Sequence, residues 1–487
     1  MKISILFLNL FLPLLLFSQS NGFSYSHFDS SYSIVKTAIQ TSDNGYTIVV
    51  NGYSRIDNIS RVTMIRLNKN GQFISSNIIK NDSISSYLLK LLKTEFGFLG
   101  VGGAINTVNN KNFLWLIKFD SSFNIIGEQF HETPTNVQTP SIDTDRDSNF
   151  IVGSFMFYRG STPKLFGARI NKQGNLTYLT YKYPTDTSAA AINASYPYTG
   201  FFDCLQAKKD SARYVLFDGD RVIDVDTNFN IIHTANIRGA TGSDLLGLQP
   251  TVKRVNDSTY YMGGRYRLNL FFLKTNLKGE HLVFKQLGNS DTLQQQAYYN
   301  SIDTTSNGDI YIGGIFNRAF ASGYPFIYDT SQFVLYKLNK SYNTIWSRKY
   351  GKNNIYDMHG LLATNDGGCL MYGLKYNYNP ERTTEAYILK VDADGLITSE
   401  TSIPLSITTT LLSPNPSYGG LVQTNLNKDV GETDLTFYDL AGRLVKVVHL
   451  TVPNQTFDVT DLPIGQYIFH VSDVHKRPLS MGKFVKL

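Results

Sequence analysis

A short pattern of polar and hydrophobic positions recurs along most of this chain. Its clearest copy is Thr305–Gly314, where a polar turn is followed by alternating strand-forming residues and a glycine pair. β-Branched and aromatic residues favour strands, whereas Asn, Asp, Ser and Gly favour turns. Helical periodicity is missing from these copies. The pattern therefore predicts a chain of short antiparallel strands.

Seven copies of the turn, near residues 44, 96, 148, 211, 258, 307 and 367, indicate a repeat of about 50 residues. Many copies are followed by a strand that ends in Lys or Arg, an apolar residue and Asn or Asp, as in Phe333–Asn343. Each repeat thus offers four antiparallel strands, which is typical of one propeller blade. The fourth copy is degenerate, so counts of six or eight blades stay open.

A closed ring of such sheets is the expected architecture. Each sheet has two apolar faces and must pack between neighbours, which predicts an all-β, seven-bladed β-propeller over residues 21–400. Phe23–Phe28 stands where an outer strand of the last blade is expected, and it is predicted to close the ring. Insertions before the fourth and seventh turns, Tyr181–Thr199 and Ala319–Asp329, are predicted to form the binding face together with the rim loops.

Two residue types support this architecture. Glycine pairs such as Gly313-Gly314 are predicted to allow close approach of strands near the central channel. Cys204 and Cys369 fall in non-neighbouring repeats, too far apart for a disulfide, so we expect two separate buried thiols. The net charge of +6 is spread along 487 residues without a dense basic run, which argues against a nucleic-acid partner.

The N-terminus has the pattern of a secretory signal peptide. A single Lys2 precedes a mostly apolar run that ends at Phe17, and Ser18 and Ser20 fit the small-x-small cleavage pattern. Residues 1–20 are therefore expected to be removed. The run is shorter than the roughly 20 residues that a membrane-spanning helix needs, so we expect no transmembrane segment in the mature chain.

The repeat is similar to one found in secreted bacterial proteins. In that repeat, Asp-Gly-Gly-Tyr leads to a glycine pair, then to Trp-Leu-Val-Lys-Leu-Asp and an outer-strand Trp. Asn365–Gly368, Trp115–Asp120 and Trp346–Gly351 carry this resemblance, which covers roughly residues 30–400.

Beyond a polar linker at residues 401–411, residues 412–487 resemble the type A C-terminal sorting domain of type IX secretion substrates. The matching blocks occur in order, and Ser413 departs from the family pattern by standing where an aromatic residue is common. The residues that carry the motif are Pro414, Asn415, Pro416, Asp439, Gly442, Arg443, Leu462, Gly465 and Tyr467.

The resemblance implies a cellular location. Such domains engage the secretion machinery and a sorting protease in the outer membrane of one phylum of Gram-negative bacteria, so the protein is expected to be secreted or attached to the cell surface after passing through the periplasm. Without the family, alternating strands such as Leu435–Tyr438 still predict a small β-sandwich, and we expect an immunoglobulin-like one.

Linear motifs for catalysis are weak in this chain. Ser33–Lys36 is a Ser-x-x-Lys match without the Lys-Thr-Gly that β-lactamase chemistry also needs, and the eight His residues are scattered. Asp143, Asp145 and Asp147 space oxygens as calcium loops do, but the central Gly and distal Glu of an EF-type loop are missing. The same aspartates also suit a tight turn, which is the favoured interpretation. No cofactor is otherwise predicted.

The sequence leaves enzyme activity undecided. It favours a binding protein whose ligand is an extracellular protein or a glycan. One alternative is a polysaccharide hydrolase or lyase whose carboxylates converge in the propeller funnel from different blades. Another is a structural adhesin. Fold alone does not separate these functions.

Overall fold

A computed structural model of the chain describes residues 22–28, 32–54, 59–134, 137, 141–156, 164–182, 205–208, 211–218, 221–237, 251–289, 293–317, 330–351, 354–376, 383–397, 411–426, 432–439, 443–452, 454–473 and 478–487. Every regular element in these residues is a β-strand. The chain divides into two compact units, Met1–Thr401 and Ser402–Leu487.

The strands of the first unit are, in chain order, β1 (Phe23–His27), β2 (Tyr32–Gln40), β3 (Tyr46–Tyr53), β4 (Ser60–Leu67), β5 (Phe73–Ile79), β6 (Ile84–Thr94), β7 (Gly97–Asn106), β8 (Asn112–Phe119), β9 (Ile125–Thr133), β10 (Ser141–Thr144), β11 (Phe150–Met156), β12 (Lys164–Ile170), β13 (Leu176–Lys182), β14 (Leu205–Ala207), β15 (Arg213–Asp218), β16 (Arg221–Asp226), β17 (Ile231–Asn236), β18 (Thr251–Asn256), β19 (Thr259–Tyr266), β20 (Asn269–Asn276), β21 (His281–Leu287), β22 (Gln294–Gln296), β23 (Ile302–Thr304), β24 (Ile310–Phe316), β25 (Gln332–Leu338), β26 (Thr344–Tyr350), β27 (Ile355–Ala363), β28 (Cys369–Tyr376) and β29 (Thr384–Val391).

These strands pair into seven consecutive antiparallel groups, which we call blades. Blades 1 to 5 are β2–β5, β6–β9, β10–β13, β14–β17 and β18–β21, and blade 6 is β22–β26, in which β22 and β23 share the inner position beside β24. Blade 7 is β27–β29 with β1 as its outer strand. First strands of neighbouring blades contact one another, as β10 does with β14 and β14 with β18, which places them nearest the axis. The fold is a β-propeller.

The N-terminal strand closes the ring, as the sequence predicts. β1 pairs antiparallel with β29 over five residues, from Phe23 opposite Lys390 to His27 opposite Ala386. The last blade therefore takes its outer strand from the start of the chain. Blade 7 also meets blade 1 directly, because Tyr32 bridges Thr384 in parallel.

One turn recurs in all seven blades, at the end of the third strand. Its fourth residue has a positive φ and donates its backbone N–H to the carbonyl of the first residue, which is Asn or Asp. The fourth repeat, degenerate in sequence, keeps this turn from Asp226 to Phe229, where Phe229 has a φ of 61°. An Asx side chain suits this position because its oxygen can accept the free N–H groups of the turn.

The core lies between blades rather than within one sheet. Trp115 of blade 2 shares a buried cluster with Met64 of blade 1, and Leu116 of blade 2 shares another with Phe166 of blade 3. Comparable apolar clusters join the remaining neighbours, including blades 7 and 1, where Phe23 meets Tyr46. The outer strands β5, β17 and β26 are largely exposed. Apolar area removed from water at each interface holds the ring together.

The second unit contains two antiparallel sheets over one core. Its strands are β30 (Leu411–Ser413), β31 (Leu421–Asn425), β32 (Thr433–Tyr438), β33 (Leu444–Leu450), β34 (Thr456–Asp458), β35 (Gly465–Asp473) and β36 (Pro478–Lys486). The sheet orders are β30-β31-β34 and β33-β32-β35-β36. Val422 and Phe457 from the first sheet pack with Phe437, Phe469 and Phe484 from the second.

Several predicted features lie outside the described residues. These are the signal peptide, the linker at 401–410, Cys204, Gly442, the second insertion and all but Tyr181 and Lys182 of the first. Cys369 is described, and it is a free, fully buried thiol whose burial raises its pKa. Within the described part of the chain, no helix has the length and apolar character to cross a membrane.

Candidate functional site

Two of the three aspartates proposed for calcium, Asp143 and Asp145, accept backbone N–H groups, whereas Asp147 is an exposed ion-pair partner of Arg146. Asp143, in the inner strand of blade 3, accepts the N–H of Ala207 in blade 4 at 2.8 Å and that of Thr144 at 2.8 Å. Asp145 accepts the N–H groups of Asp147 and Asn149 at 2.9 and 2.8 Å. The Asp145 contacts are those expected of a structural turn, and the Asp143 contact with Ala207 joins blades 3 and 4. The described residues contain no group of three His, Cys, Asp or Glu side chains placed to hold a metal.

The first block of the predicted sorting motif, Pro414–Pro416, contacts the end of the chain. The Asn415 side chain accepts the N–H of Val485 at 2.9 Å and donates to the Lys483 carbonyl at 2.6 Å. Pro414 and Pro416 flank this contact. Buried Ser417 follows, with its N–H donating to the Val485 carbonyl at 2.8 Å. The Pro-Asn-Pro block is therefore fastened to β36.

The remaining motif residues have structural contacts of their own. Asp439 accepts both the N–H and the Nε–H of Arg443, at 2.9 and 2.7 Å, which closes the hairpin between β32 and β33. Leu462 and Tyr467 lie in the core, and the Tyr467 hydroxyl donates to the Pro463 carbonyl at 2.5 Å. Gly465 begins β35.

A different set of residues meets at the centre of the propeller, where four inner strands are bulged at one level. In β2, β6 and β27 the extra residues are Lys36, Leu89 and His359. In blade 6 the five residues 297–301 stand opposite Gly313 alone. These four blades, numbered 6, 7, 1 and 2, are consecutive around the ring. Bulges are frequent beside functional sites because they redirect side chains.

Glycines opposite the inner strands allow this crowding. A Cβ built on Gly314 would lie 2.1 Å from the carbonyl oxygen of Gln295, and one on Gly373 would lie 2.0 Å from that of Asp357. In both blades the contact is with the inner strand beside the bulge. This confirms the predicted reason for the glycines, which is close backbone approach near the channel.

Three side chains from blades 1, 6 and 7 form a cluster that we call the axial cluster, completed by Tyr298. The Lys36 ammonium donates a hydrogen bond to the Tyr299 hydroxyl and lies 4.3 Å from the centroid of its ring. The His359 ring lies 5.1 Å from the ring of Tyr299 and 5.0 Å from that of Tyr298. Blades 1 and 6 are not neighbours, so these side chains meet across the inner face of blade 7, at the axis.

The backbone holds Tyr298 and Tyr299 in place. Tyr299 donates its N–H to the His359 carbonyl at 2.7 Å, and Tyr298 donates to the Met358 carbonyl at 3.2 Å. The Asn300 side chain donates a hydrogen bond of 2.7 Å to the Leu361 carbonyl, and the Asn300 backbone carbonyl accepts the N–H of Leu361 at 3.0 Å. A segment locked in this way presents its side chains in a fixed geometry, as binding sites require.

The residues of the axial cluster are partly shielded from solvent. His359 is 6% exposed, whereas Lys36, Tyr298 and Tyr299 are half-buried. Tyr87 of blade 2 approaches the same place: burial raises its pKa, and the neighbouring Tyr299 phenol adds to that rise. Its hydroxyl donates to the Val137 carbonyl at 3.1 Å. The cluster thus combines one cation, several phenols and an imidazole.

Sequence reasoning missed this cluster. Lys36 entered only as the end of a Ser-x-x-Lys match, and His359 only as one scattered His. The available signal was in the sixth repeat, where Tyr298, Tyr299 and Asn300 lengthen the segment that leads to the inner strand. The predicted binding face was placed on the insertions, which lie mostly outside the described residues.

The fold and the axial cluster define a β-propeller protein with a small C-terminal β-sandwich. No protein-family model and no curated protein sequence matches the chain. The chain is similar to the WD40 domain of Neurospora crassa Pan2, with 10% sequence identity and a TM-score of 0.40 over 73% of this chain and 89% of that one. It is also similar to the β-propeller domain of the trilobed protease from Pyrococcus furiosus, with 10% identity and a TM-score of 0.38 over 78% of this chain and 100% of that one. A fungal AA5-family alcohol oxidase in complex with copper has 12% identity and a TM-score of 0.47 over 95% of this chain and 98% of that one. The fold assignment rests on the strand pairing above.

Proposed function

We propose that this protein is a binding protein of the cell exterior whose ligand is held at the axial cluster. The observation that carries the proposal is the meeting of Lys36, Tyr299 and His359, which come from three blades and are fixed by backbone hydrogen bonds. Residues that only filled the channel would need neither a five-residue bulge in blade 6 nor an ammonium group. Concave sites with a few converging polar groups are typical of ligand binding.

We propose that export depends on residues 412–487. The type IX secretion machinery would recognise this segment, and its sorting protease would remove it. The resemblance of the ordered motif blocks supports this route. The contacts of Asn415 with Lys483 and Val485 support it further, because they make the first block and the chain end parts of one surface. Delivery would be to the medium or to the outer cell surface.

Catalysis at the same place is the second candidate. The Tyr299 hydroxyl, the Lys36 ammonium and the His359 imidazole are groups that can hold or move a proton during hydrolysis or elimination of a polysaccharide. Binding without turnover is favoured because the carboxylate pair of a hydrolase is not part of the axial cluster.

The binding proposal is tested with purified full-length protein against a panel of glycans and extracellular proteins. Binding and release of product are measured for the wild type and for Tyr299→Ala. Binding that the substitution abolishes, without product, is the expected result. Product release would favour the enzyme, and binding that Tyr299→Ala leaves intact would place the ligand elsewhere. Absence of any ligand would favour the structural adhesin.

The export proposal has a separate test. Deleting residues 412–487 should trap the protein in the periplasm of its native host. Unchanged surface display or secretion of the truncated chain would contradict the sorting role of this segment.

A further inference from the structure

The positive charge at the propeller axis is not neutralised by a carboxylate of the described chain. Lys36 is half-buried, and its contacts there are with the hydroxyl and the ring of Tyr299. Neither contact carries a full negative charge. Removing an ammonium from water without an opposite charge is costly, so such a group is usually paired.

The lysines that are buried in the described part of the propeller follow that rule. Lys390, which is fully buried, lies 2.9 Å from the carboxylate of Asp366, and Lys337 lies 3.2 Å from that of Asp309. At Lys36 a phenol stands in place of the carboxylate, as it also does at half-buried Lys274 beside Tyr342. At the axis this leaves the ammonium group available for an anion from outside the described chain.

We propose that the axial cluster binds a carboxylate-bearing sugar, a uronic acid residue of an acidic polysaccharide. The inference rests on the proposed binding function and names its ligand class. The sugar carboxylate would take a charge-assisted hydrogen bond from Lys36, which is stronger than one between neutral groups. It would also supply the negative charge that Lys36 lacks.

The aromatic side chains favour a sugar over a simple anion. Tyr298 and Tyr299 are half-buried rings on a segment fixed to β27, and the His359 ring lies 5.0 and 5.1 Å from them. The apolar C–H face of a pyranose ring packs on such a surface, while the phenol hydroxyl offers a polar contact at its edge. A free inorganic anion would use Lys36 but not these rings.

The test is calorimetric titration of the full-length chain with trigalacturonic acid, the neutral galactotriose and a triglutamate peptide. The wild type is expected to bind the acidic sugar at least about tenfold more tightly than the neutral one. Lys36→Met should lose about tenfold of that affinity, and Lys36→Arg should recover part of it. Lys278→Met, which removes an exposed charge from a turn of blade 5, should bind like the wild type.

Thermal unfolding of each variant, followed by circular dichroism, separates loss of binding from loss of fold. Equal affinity for the acidic and neutral sugars, unchanged binding by folded Lys36→Met, preference for the peptide, or no binding of trigalacturonic acid would each overturn the ligand class. Binding of a neutral or peptide ligand that Tyr299→Ala abolishes would still support the axial site. Failure of the ligand class and failure of the site are thereby distinguished.

Discussion

The carboxylate of Asp143 in blade 3 accepts the backbone N–H of Ala207 in blade 4, at 2.8 Å. Asp303 repeats the arrangement three blades further on and accepts the N–H of Ala363 in blade 7 at 2.9 Å. At both places an aspartate on an inner strand fastens the next inner strand. Asp143 and Asp303 therefore stabilise the contacts between the inner strands of neighbouring blades.

Replacing Asp143 with Ala should lower the free energy of unfolding by about 2 kcal/mol, because two backbone N–H groups lose their acceptor. Chemical denaturation with and without a calcium chelator measures this. Asp147→Ala is the matched control, since the Asp147 side chain is exposed and its ion pair with Arg146 is a surface contact. Stability that chelation lowers, and that Asp147→Ala lowers equally, would support the calcium hypothesis instead.

Phe23 is the residue through which the N-terminal strand closes the ring. It is fully buried, its ring lies 5.5 Å from that of Tyr46, and it belongs to the core between blades 7 and 1. Phe23→Ala should cost about 3 to 5 kcal/mol of unfolding free energy. Phe28→Ala, at a position that is 50% exposed just after β1, should cost little. Equal effects in denaturant titrations would contradict closure through β1.

The pair of Asp366 and Lys390 should make stability depend on pH. Burial alone would raise the pKa of Asp366, but the Thr364 hydroxyl and the Lys390 ammonium outweigh it and hold that pKa below its ordinary value. A depressed carboxyl pKa stabilises the fold above the unfolded-state pKa of about 4, and the contribution is lost as pH falls through the folded-state value.

Asp366→Asn should therefore destabilise the protein at neutral pH by about 3 kcal/mol, because Lys390 stays buried without its partner. The difference from the wild type should shrink as the pH is lowered below about 4, as measured by denaturation at a series of pH values. A difference that is constant across pH would show that the Asp366 charge contributes nothing to stability.

Asn415 should protect the last strand of the sandwich from solvent exchange. Its carboxamide accepts the N–H of Val485, so in Asn415→Ala this amide should exchange about tenfold faster in the full-length chain. Asn454→Ala, in the turn before β34, is the control and should leave that amide unchanged. Equal protection in both variants would mean that the Pro-Asn-Pro block does not hold the chain end.

Local signals in the sequence were sufficient to predict the propeller fold. Turn residues such as Asn307-Gly308 and glycine pairs such as Gly313-Gly314 recur because each blade needs them, and they predicted the strand groups. The position of Phe23–Phe28 before the first repeat predicted closure by β1. The axial cluster was not predictable in the same way. Lys36 and His359 are bulge residues, and the one-residue slip that turns them toward the axis leaves no mark in the alternation of a short strand. Their meeting with Tyr299 depends on the ring being closed.

The central claim is that ligand binds at the axis, and hydrogen–deuterium exchange of the full-length chain tests it most directly. Exchange is compared with and without a saturating ligand from the panel. The account predicts added protection at Tyr298–Asn300 and across β27, where His359 lies, with outer strands such as β26 unchanged. Protection confined to other parts of the chain, with the axial segments unaffected, would contradict it.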